Sequence, residues 1–175
     1  MGELIQSKLL WLSFLLLGAC SKSQPGPNVI SNTAAIDSVF SHASDTVAID
    51  GTRIFIKAWV ARDFMPTVPS RPEGGGLLTL VRLLAAGNGA IPPHLVFSKQ
   101  YVADKGQLWI YQFTFSDYEA QSLMRLSSGL TQASTSNGPR WKPGDQVGVV
   151  VEVKDTVLGS RYLIRSAGQL IQVQL

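Results

Sequence analysis

The stretch Thr52-Arg53-Ile54-Phe55-Ile56-Lys57-Ala58-Trp59-Val60 decides the fold class of this chain. Positions 54, 56, 58 and 60 are apolar, and the positions between them carry two cations and two aromatic rings. Because successive side chains of a strand point to opposite faces, this period of two predicts a strand with one buried face. The same alternation recurs in Asp145–Lys154, where valine stands at positions 147, 149, 151 and 153.

Shorter segments of strand-like composition fill most of the remaining chain beyond residue 45. They are residues 46–49, 77–84, 95–102, 107–115, 160–165 and 169–173. Asp50-Gly51, Asp104-Lys105-Gly106 and Ala167-Gly168 provide the residues that tight hairpin turns need. Helical spacing is found only at Asp117–Leu126, where Asp117 is a candidate N-cap.

This set of short strands predicts an all-β fold, an antiparallel β-sandwich with at most one short helix. An immunoglobulin-like arrangement is one form of that prediction, and a small open barrel is the alternative. The chain of 175 residues has the length of a single domain.

Composition excludes several classes of protein. Hydrophobic residues make up 45% of the chain and charged residues 15%, which excludes disorder over most of its length. The formal charge of +3 is too small for a protein that binds nucleic acid through a basic face. One cysteine and two histidines leave no disulfide framework, and we predict neither a metal site nor a cofactor.

The first twenty residues have the pattern of an export signal. An apolar run at residues 9–17 is about half as long as a membrane-spanning helix and is followed by Leu17-Gly18-Ala19-Cys20. This motif is similar to the lipobox of bacterial lipoproteins. The resemblance implies cleavage before Cys20 and attachment of lipid to its thiol, and Ser21 after it favours the outer membrane, facing the periplasm.

The predicted organisation follows from this motif. Residues 1–19 are a lipoprotein signal peptide, residues 20–44 are a flexible tether rich in Ser, Asn, Pro and Gly, and residues 45–175 are the β-sandwich domain. Within the tether, residues 29–30 and 36–40 are apolar enough for a short strand or a helical turn. The membrane is thus a predicted partner through the N-terminal lipid.

Two stretches place Arg and Trp beside proline at the ends of strands. They supply a candidate binding patch of Trp59, Arg62, Asp63, Arg140 and Trp141, since Trp and Arg dominate interaction hot spots. The structural alternative packs the Trp rings over the end of a sandwich, with Arg62 bound to Asp63 or to a carbonyl. The two stretches resemble motifs in small bacterial envelope proteins of unassigned function, which implies no activity.

Catalytic motifs are not evident. His42 lies in the predicted tether and His94 follows Pro92-Pro93, without the nucleophile and carboxylate spacing of a hydrolytic triad. We therefore predict a lipid-anchored envelope protein with a non-enzymatic β-sandwich for binding a protein or glycan, or for structural support. Two alternatives stay open: a lipid-anchored hydrolase with a carboxylate pair, and an inhibitor or chaperone-like module that presents the loop at residues 65–76.

Overall fold

A computed structural model describes residues 27–64, 74–114, 116–121 and 131–174. These residues form two β-sheets packed face to face, which confirms the predicted all-β, mainly antiparallel sandwich. The elements are β1 Asn28–Ser31, α1 Thr33–His42, β2 Val47–Ile49, β3 Thr52–Asp63, β4 Leu77–Ala85, β5 Leu95–Asp104, β6 Gln107–Gln112, β7 Gln132–Thr135, β8 Gln146–Asp155, β9 Arg161–Arg165, β10 Gln169–Leu170 and β11 Gln172–Gln174, with a 3-10 turn at Ala86–Asn88 and a helical segment at residues 116–121.

The six-stranded sheet has the order β1-β6-β5-β8-β10, with β9 also paired to β8. The five-stranded sheet has the order β11-β3-β4-β7, with β2 also paired to β3. The neighbours β3-β4-β7 and β6-β5-β8-β9 are all antiparallel and follow the order of strands A-B-E and C′-C-F-G in immunoglobulin-type sandwiches. Among the strands of the described ranges, β11 alone is parallel to its neighbour, β3.

We name the two ends of the sandwich the His94 end and the Arg62 end. At the His94 end lie the β2–β3 turn and the β8–β9 turn, because His94 contacts both. At the Arg62 end lie the end of β3, the start of β4 and residues 140–141.

Two of the three predicted hairpin turns are present. Asp50 and Gly51 join β2 to β3 with φ angles of 48° and 73°. Lys105 and Gly106 join β5 to β6 with φ angles of 44° and 82°, so this turn has two residues instead of three. Positive φ at both positions gives a twist that matches the strands on either side.

The predicted hairpin at Ala167-Gly168 is wrong. Both β9 and β10 pair with the same edge of β8, at Val150–Lys154 and at Gln146–Val147. Residues 166–168 are therefore an interruption in one long edge strand. After Ile171 the chain crosses to the other sheet, where β11 pairs with β3.

The predicted tether at residues 20–44 needs a correction at its C-terminal part. Strand β1 pairs with β6, and α1 packs on the outer face of the six-stranded sheet. The ring of Phe40 lies so close to Gly148 that a Cβ there would be 2.5 Å from its Cε1. The folded domain therefore includes residues 28–42, which precede the predicted boundary at residue 45.

Docking of α1 also changes the environment of β8. Val149 and Val151 face the opposite sheet, while Val150 on the other face is equally buried. The alternation in this strand predicts one polar, solvated face, but nearly all of β8 is enclosed. Glycine at 148 is the residue that leaves room for the helix.

A polar cross-link lies inside the core. Gln100 of β5 is fully buried, and its side chain contacts residues of the opposite sheet. Thr79 Oγ1 donates to Gln100 Oε1 at 2.9 Å, and Gln100 Nε2 donates to Thr135 Oγ1 at 3.4 Å. Buried polar groups of this kind are stable only when they are hydrogen-bonded, so these side chains restrict how the sheets can slide.

The helical segment at residues 116–121 completes β5 beyond the end of β6. It overlaps the predicted helix at residues 117–121, with Asp117 inside the helix and not at its N-cap, and residues 122–126 of that prediction lie outside the described residues. The last pair of the β5–β6 ladder is Lys99 with Gln112. Phe97 lies two residues before this pair in β5. There the side chain of Gln121, and not a strand, provides the hydrogen-bond partner: its Oε1 accepts from the Phe97 amide at 3.0 Å. This contact fixes the helical segment against the sandwich.

Candidate functional site

Arg62 is a buried cation at one end of the sandwich, with 6% of its surface exposed. Its Nε and Nη2 donate to the Gly75 carbonyl at 3.1 and 3.0 Å, and its Nη1 donates to the Trp141 carbonyl at 3.3 Å. The guanidinium also lies 4.8 Å from the centre of the Phe64 ring. Arg62 therefore joins three segments of the chain. These contacts agree with the alternative in which Arg62 is bound to carbonyl groups.

Trp141 closes the same end. It is 9% exposed and belongs to the core, and its Nε1 donates to Gln107 Oε1 at 2.7 Å. Next to it, Gly138 packs so tightly on Trp109 that a Cβ would lie 2.6 Å from the ring. Neither the indole of Trp141 nor the guanidinium of Arg62 is presented to solvent.

Trp59 lies on the opposite face of β3 from Arg62, since the two are three residues apart in a strand. Its ring is half-buried, and its Nε1 donates to Gln172 Oε1 at 2.7 Å. The indole forms one wall of a surface groove of about 350 Å³. We call this the Trp59 groove; its lining is Trp59, Leu78, Thr79, Leu80, Tyr111, Asp117, Ser134, Thr135 and Ser136.

Polar groups line the same groove. Asp117 Oδ2 accepts from the Thr114 amide at 2.6 Å and from the Thr114 hydroxyl at 2.8 Å, and Tyr111 Oη donates to the same oxygen at 3.4 Å. Burial, and then the negative charge of Asp117, raise the pKa of Tyr111, so its hydroxyl stays protonated. A smaller cavity of about 80 Å³ adjoins the groove and shares Asp117 and Ser134 with it.

The five residues of the predicted patch therefore do not form one surface. Arg62, Trp141 and the main chain of Arg140 meet at one end of the sandwich, whereas Trp59 faces outwards beside the groove. Asp63 is half-buried and accepts the Gly75 amide through its main-chain carbonyl. The groove residues of β7 were missed, because the four residues Gln132–Thr135 are too few to show a strand period.

A second cluster surrounds His94. Its Nε2 lies 3.3 Å from Asp50 Oδ2 and 3.5 Å from Asp155 Oδ2. Asp155 is fully buried, and its Oδ1 accepts from the amides of Val157 and Leu158 at 2.8 Å each. These amides, together with the charge of His94, hold the pKa of Asp155 below its usual value against the effect of burial. Asp155 Oδ1 thus shapes the β8–β9 turn, and the cluster links this turn to the β2–β3 turn.

Ser98 is also engaged. It is the extra residue of a bulge in β5, and its Oγ donates to Glu152 Oε1 at 2.6 Å. Arg161 Nη1 lies 3.3 Å from the same oxygen. Across the described ranges, no group of three or more His, Cys, Asp or Glu side chains is placed to hold a metal ion.

The predictions for residues 1–19, for Cys20 and for positions 65–73 of the loop lie outside the described residues. In the part of the chain that the structure describes, no helix is both long and apolar enough to cross a bilayer. Comparison of the chain with protein-family models, with curated proteins and with solved structures finds no match.

Proposed function

We propose that this chain is a lipid-anchored protein of the bacterial cell envelope whose β-sandwich binds an envelope partner without catalysing a reaction. The observation that carries the binding role is the Trp59 groove. There an indole that donates to Gln172 lines an open cleft together with hydroxyl and carboxylate groups. Concave sites that combine an aromatic wall with a few fixed polar groups are typical of ligand binding.

The chemistry of the groove favours a glycan over other partners. The face of an indole packs against the C–H groups of a sugar ring, while hydroxyl and carboxylate groups pair with sugar hydroxyls. Ser134 and Ser136 are exposed, and they line the groove together with Asp117, whose Oδ2 accepts from the Tyr111 hydroxyl. A protein segment is the second partner class, and the test below separates the two.

The location rests on the sequence. Leu17-Gly18-Ala19-Cys20 has the lipobox pattern, and the cysteine is the only one in the chain. From Cys20 to the first strand at Asn28 there are eight residues, which span at most about 29 Å when extended. An anchored sandwich would therefore lie close to the bilayer.

Photo-crosslinking in a bacterial host tests the binding role. A photoreactive benzoylphenylalanine replaces Ser136 in the groove or, as the control, Ser38 on α1, which is also exposed. We expect an adduct from position 136 that Trp59→Ala removes and that Lys57→Ala, on the same face of β3, leaves intact. Digestion of the adduct with glycosidase or with protease identifies the class of the partner. Equal adducts from both positions, or an adduct unaffected by Trp59→Ala, would contradict the proposal.

A further inference from the structure

Val157 and Leu158 form the tip of the turn between β8 and β9. Their exposed fractions are 75% and 69%, the highest of the large apolar side chains in the described part of the chain. Two adjacent apolar side chains at a protruding tip are exposed at a cost in water, and they have no packing role in the domain.

The main chain of this tip is already satisfied by hydrogen bonds from within the protein. The amide donors and their acceptors are Thr156 to the His94 carbonyl (3.0 Å), Val157 and Leu158 to Asp155 Oδ1 (2.8 Å each), and Gly159 to the Asp155 carbonyl (2.9 Å). An amide donor that gives up its hydrogen bond to water without gaining another partner is costly to bury in an apolar medium. These four donors would lose no partner there, and the turn is held rigid before it makes contact.

Two cations stand directly behind the tip. Lys154 and Arg161 are register partners on the adjoining ends of β8 and β9. Arg161 Nη1 lies 3.3 Å from Glu152 Oε1, so its charge is partly balanced within the sheet. Lys154 is then the cation behind the tip that a negatively charged surface can approach. The acidic Asp50 at this end of the sandwich lies against His94.

The first strand runs from the middle of the sheet toward the Arg62 end. Strand β1 is antiparallel to β6 and starts opposite Ile110, at the level of Val150 in β8. From that level to Val157 is at most about 23 Å along the strand direction. Seven residues lie between Cys20 and Asn28, and the eight Cα–Cα steps from Cys20 to Asn28 reach at most about 29 Å, so a lipid on Cys20 and the tip can meet the same membrane.

From these observations we infer that the β8–β9 turn is a membrane contact, in which Val157 and Leu158 insert among the headgroups of an anionic bilayer and Lys154 meets the phosphates. The inference rests on the proposed lipid anchor. It adds an orientation: the His94 end faces the membrane, and the Arg62 end points away from it.

Depth-dependent quenching of a probe tests this contact in the full chain, purified from bacterial membranes and placed in vesicles of phosphatidylcholine and phosphatidylglycerol. A lipid-modified Cys20 has no free thiol, so a cysteine introduced by Leu158→Cys carries the only polarity-sensitive probe. Leu170→Cys and Val173→Cys are matched controls, since both are exposed apolar positions near the Arg62 end. We expect blue-shifted emission and quenching by nitroxide lipids at position 158 and at neither control.

The charge of Lys154, directly behind the tip, gives a second readout. Lys154→Glu should lower the ratio of inserted to withdrawn tip by roughly fivefold or more, because each basic residue near an anionic leaflet contributes on that scale. Lys57→Glu, far from the tip, should leave the ratio unchanged. Solvent-like emission at position 158, shielding without lipid quenching, or stronger quenching at position 170 or 173 would each overturn the inference. Labelling of the parent chain at Cys20 would instead show that the anchor itself is missing.

Discussion

The indole Nε1 of Trp59 donates a hydrogen bond of 2.7 Å to Oε1 of Gln172, which is 113 residues further along the chain. The contact exists because β11 pairs in parallel with the end of β3 after the chain crosses between the sheets at Ile171. The C-terminal strand thus sets the orientation of the ring that forms one wall of the Trp59 groove.

Gln172→Leu should weaken partner binding more than it weakens the fold. The hydrogen bond is exposed and neutral, so its loss should lower the free energy of unfolding by about 1 kcal/mol or less. The indole would lose its fixed orientation, and the crosslinking yield from position 136 should fall. Urea unfolding and the crosslinking assay, performed on the same variant, measure both effects. A normal yield would mean that the ring needs no support from Gln172.

Arg62→Met should destabilise the domain strongly. The substitution removes donors from the carbonyls of Gly75 and Trp141 at a position that is 6% exposed. Charged donors and the penalty for unpaired buried acceptors together suggest a loss of about 3 kcal/mol in the free energy of unfolding. Arg62→Lys should restore little of it, because an ammonium group lacks the fork that reaches both carbonyls.

The matched control is Arg53→Met on the same strand, where the side chain is exposed. We expect a change within about 0.5 kcal/mol there. A similar, small effect at both positions would show that the Arg62 contacts contribute little to stability.

Gly148→Ala should displace α1, because the new Cβ would lie 2.5 Å from Phe40. Overpacking of this kind costs about 1–3 kcal/mol. In combination with Phe40→Ala, the cost of Gly148→Ala should shrink, with a coupling energy of about 1 kcal/mol or more in a double-mutant cycle. Gly89→Ala is the control, since its Cβ would meet its nearest neighbour at 3.4 Å. Additive effects of the two substitutions would contradict the docking of residues 33–42 on β8.

The stability of the domain should fall in acid partly through Asp155. Amides of Leu158 and Val157 lower the folded-state pKa of this carboxyl below its unfolded value. Its contribution is therefore complete above the unfolded pKa of about 3.9 and is lost as the pH falls through the folded pKa. Asp155→Asn should flatten the dependence of unfolding free energy on pH below about pH 5.

Asp45 provides a comparison with a different physical cause. Its pKa is lowered by an exposed pair with Arg165 at 2.6 Å. Salt screens an exposed ion pair, whereas the amides that bind Asp155 are fixed by the turn. The acid-dependent effect of Asp45→Asn should therefore vanish at high salt, and that of Asp155→Asn should persist. Equal salt sensitivity would argue against amide bonding as the cause at Asp155.

Most strands of the domain could be predicted from the sequence, whereas β1 and the short strand β7 could not. The alternation in residues 52–60 and 145–154 corresponds to β3 and β8, since local patterning records which face is buried. Strand β1 and helix α1 escaped prediction as part of the domain, because their docking depends on the absence of a side chain at Gly148. No local pattern contains that information.

The candidate site shows the same division. The sequence marks Trp59 and Arg62 as chemically distinctive, but it does not separate their roles. That separation depends on partners 13, 79 and 113 residues away: Gly75 and Trp141 for Arg62, and Gln172 for Trp59. Contacts of that range arise from the crossing of the chain between the sheets, which no spacing in the sequence records.

The intact mass of the protein from membranes of a bacterial host, with Cys20→Ala as the control, tests the central claim most directly. The account predicts a mass equal to residues 20–175 plus attached acyl chains in the membrane fraction, and loss of both the lipid mass and the membrane association in the Cys20→Ala variant. A soluble product without acyl chains, or an unprocessed chain with a free Cys20 thiol, would contradict it.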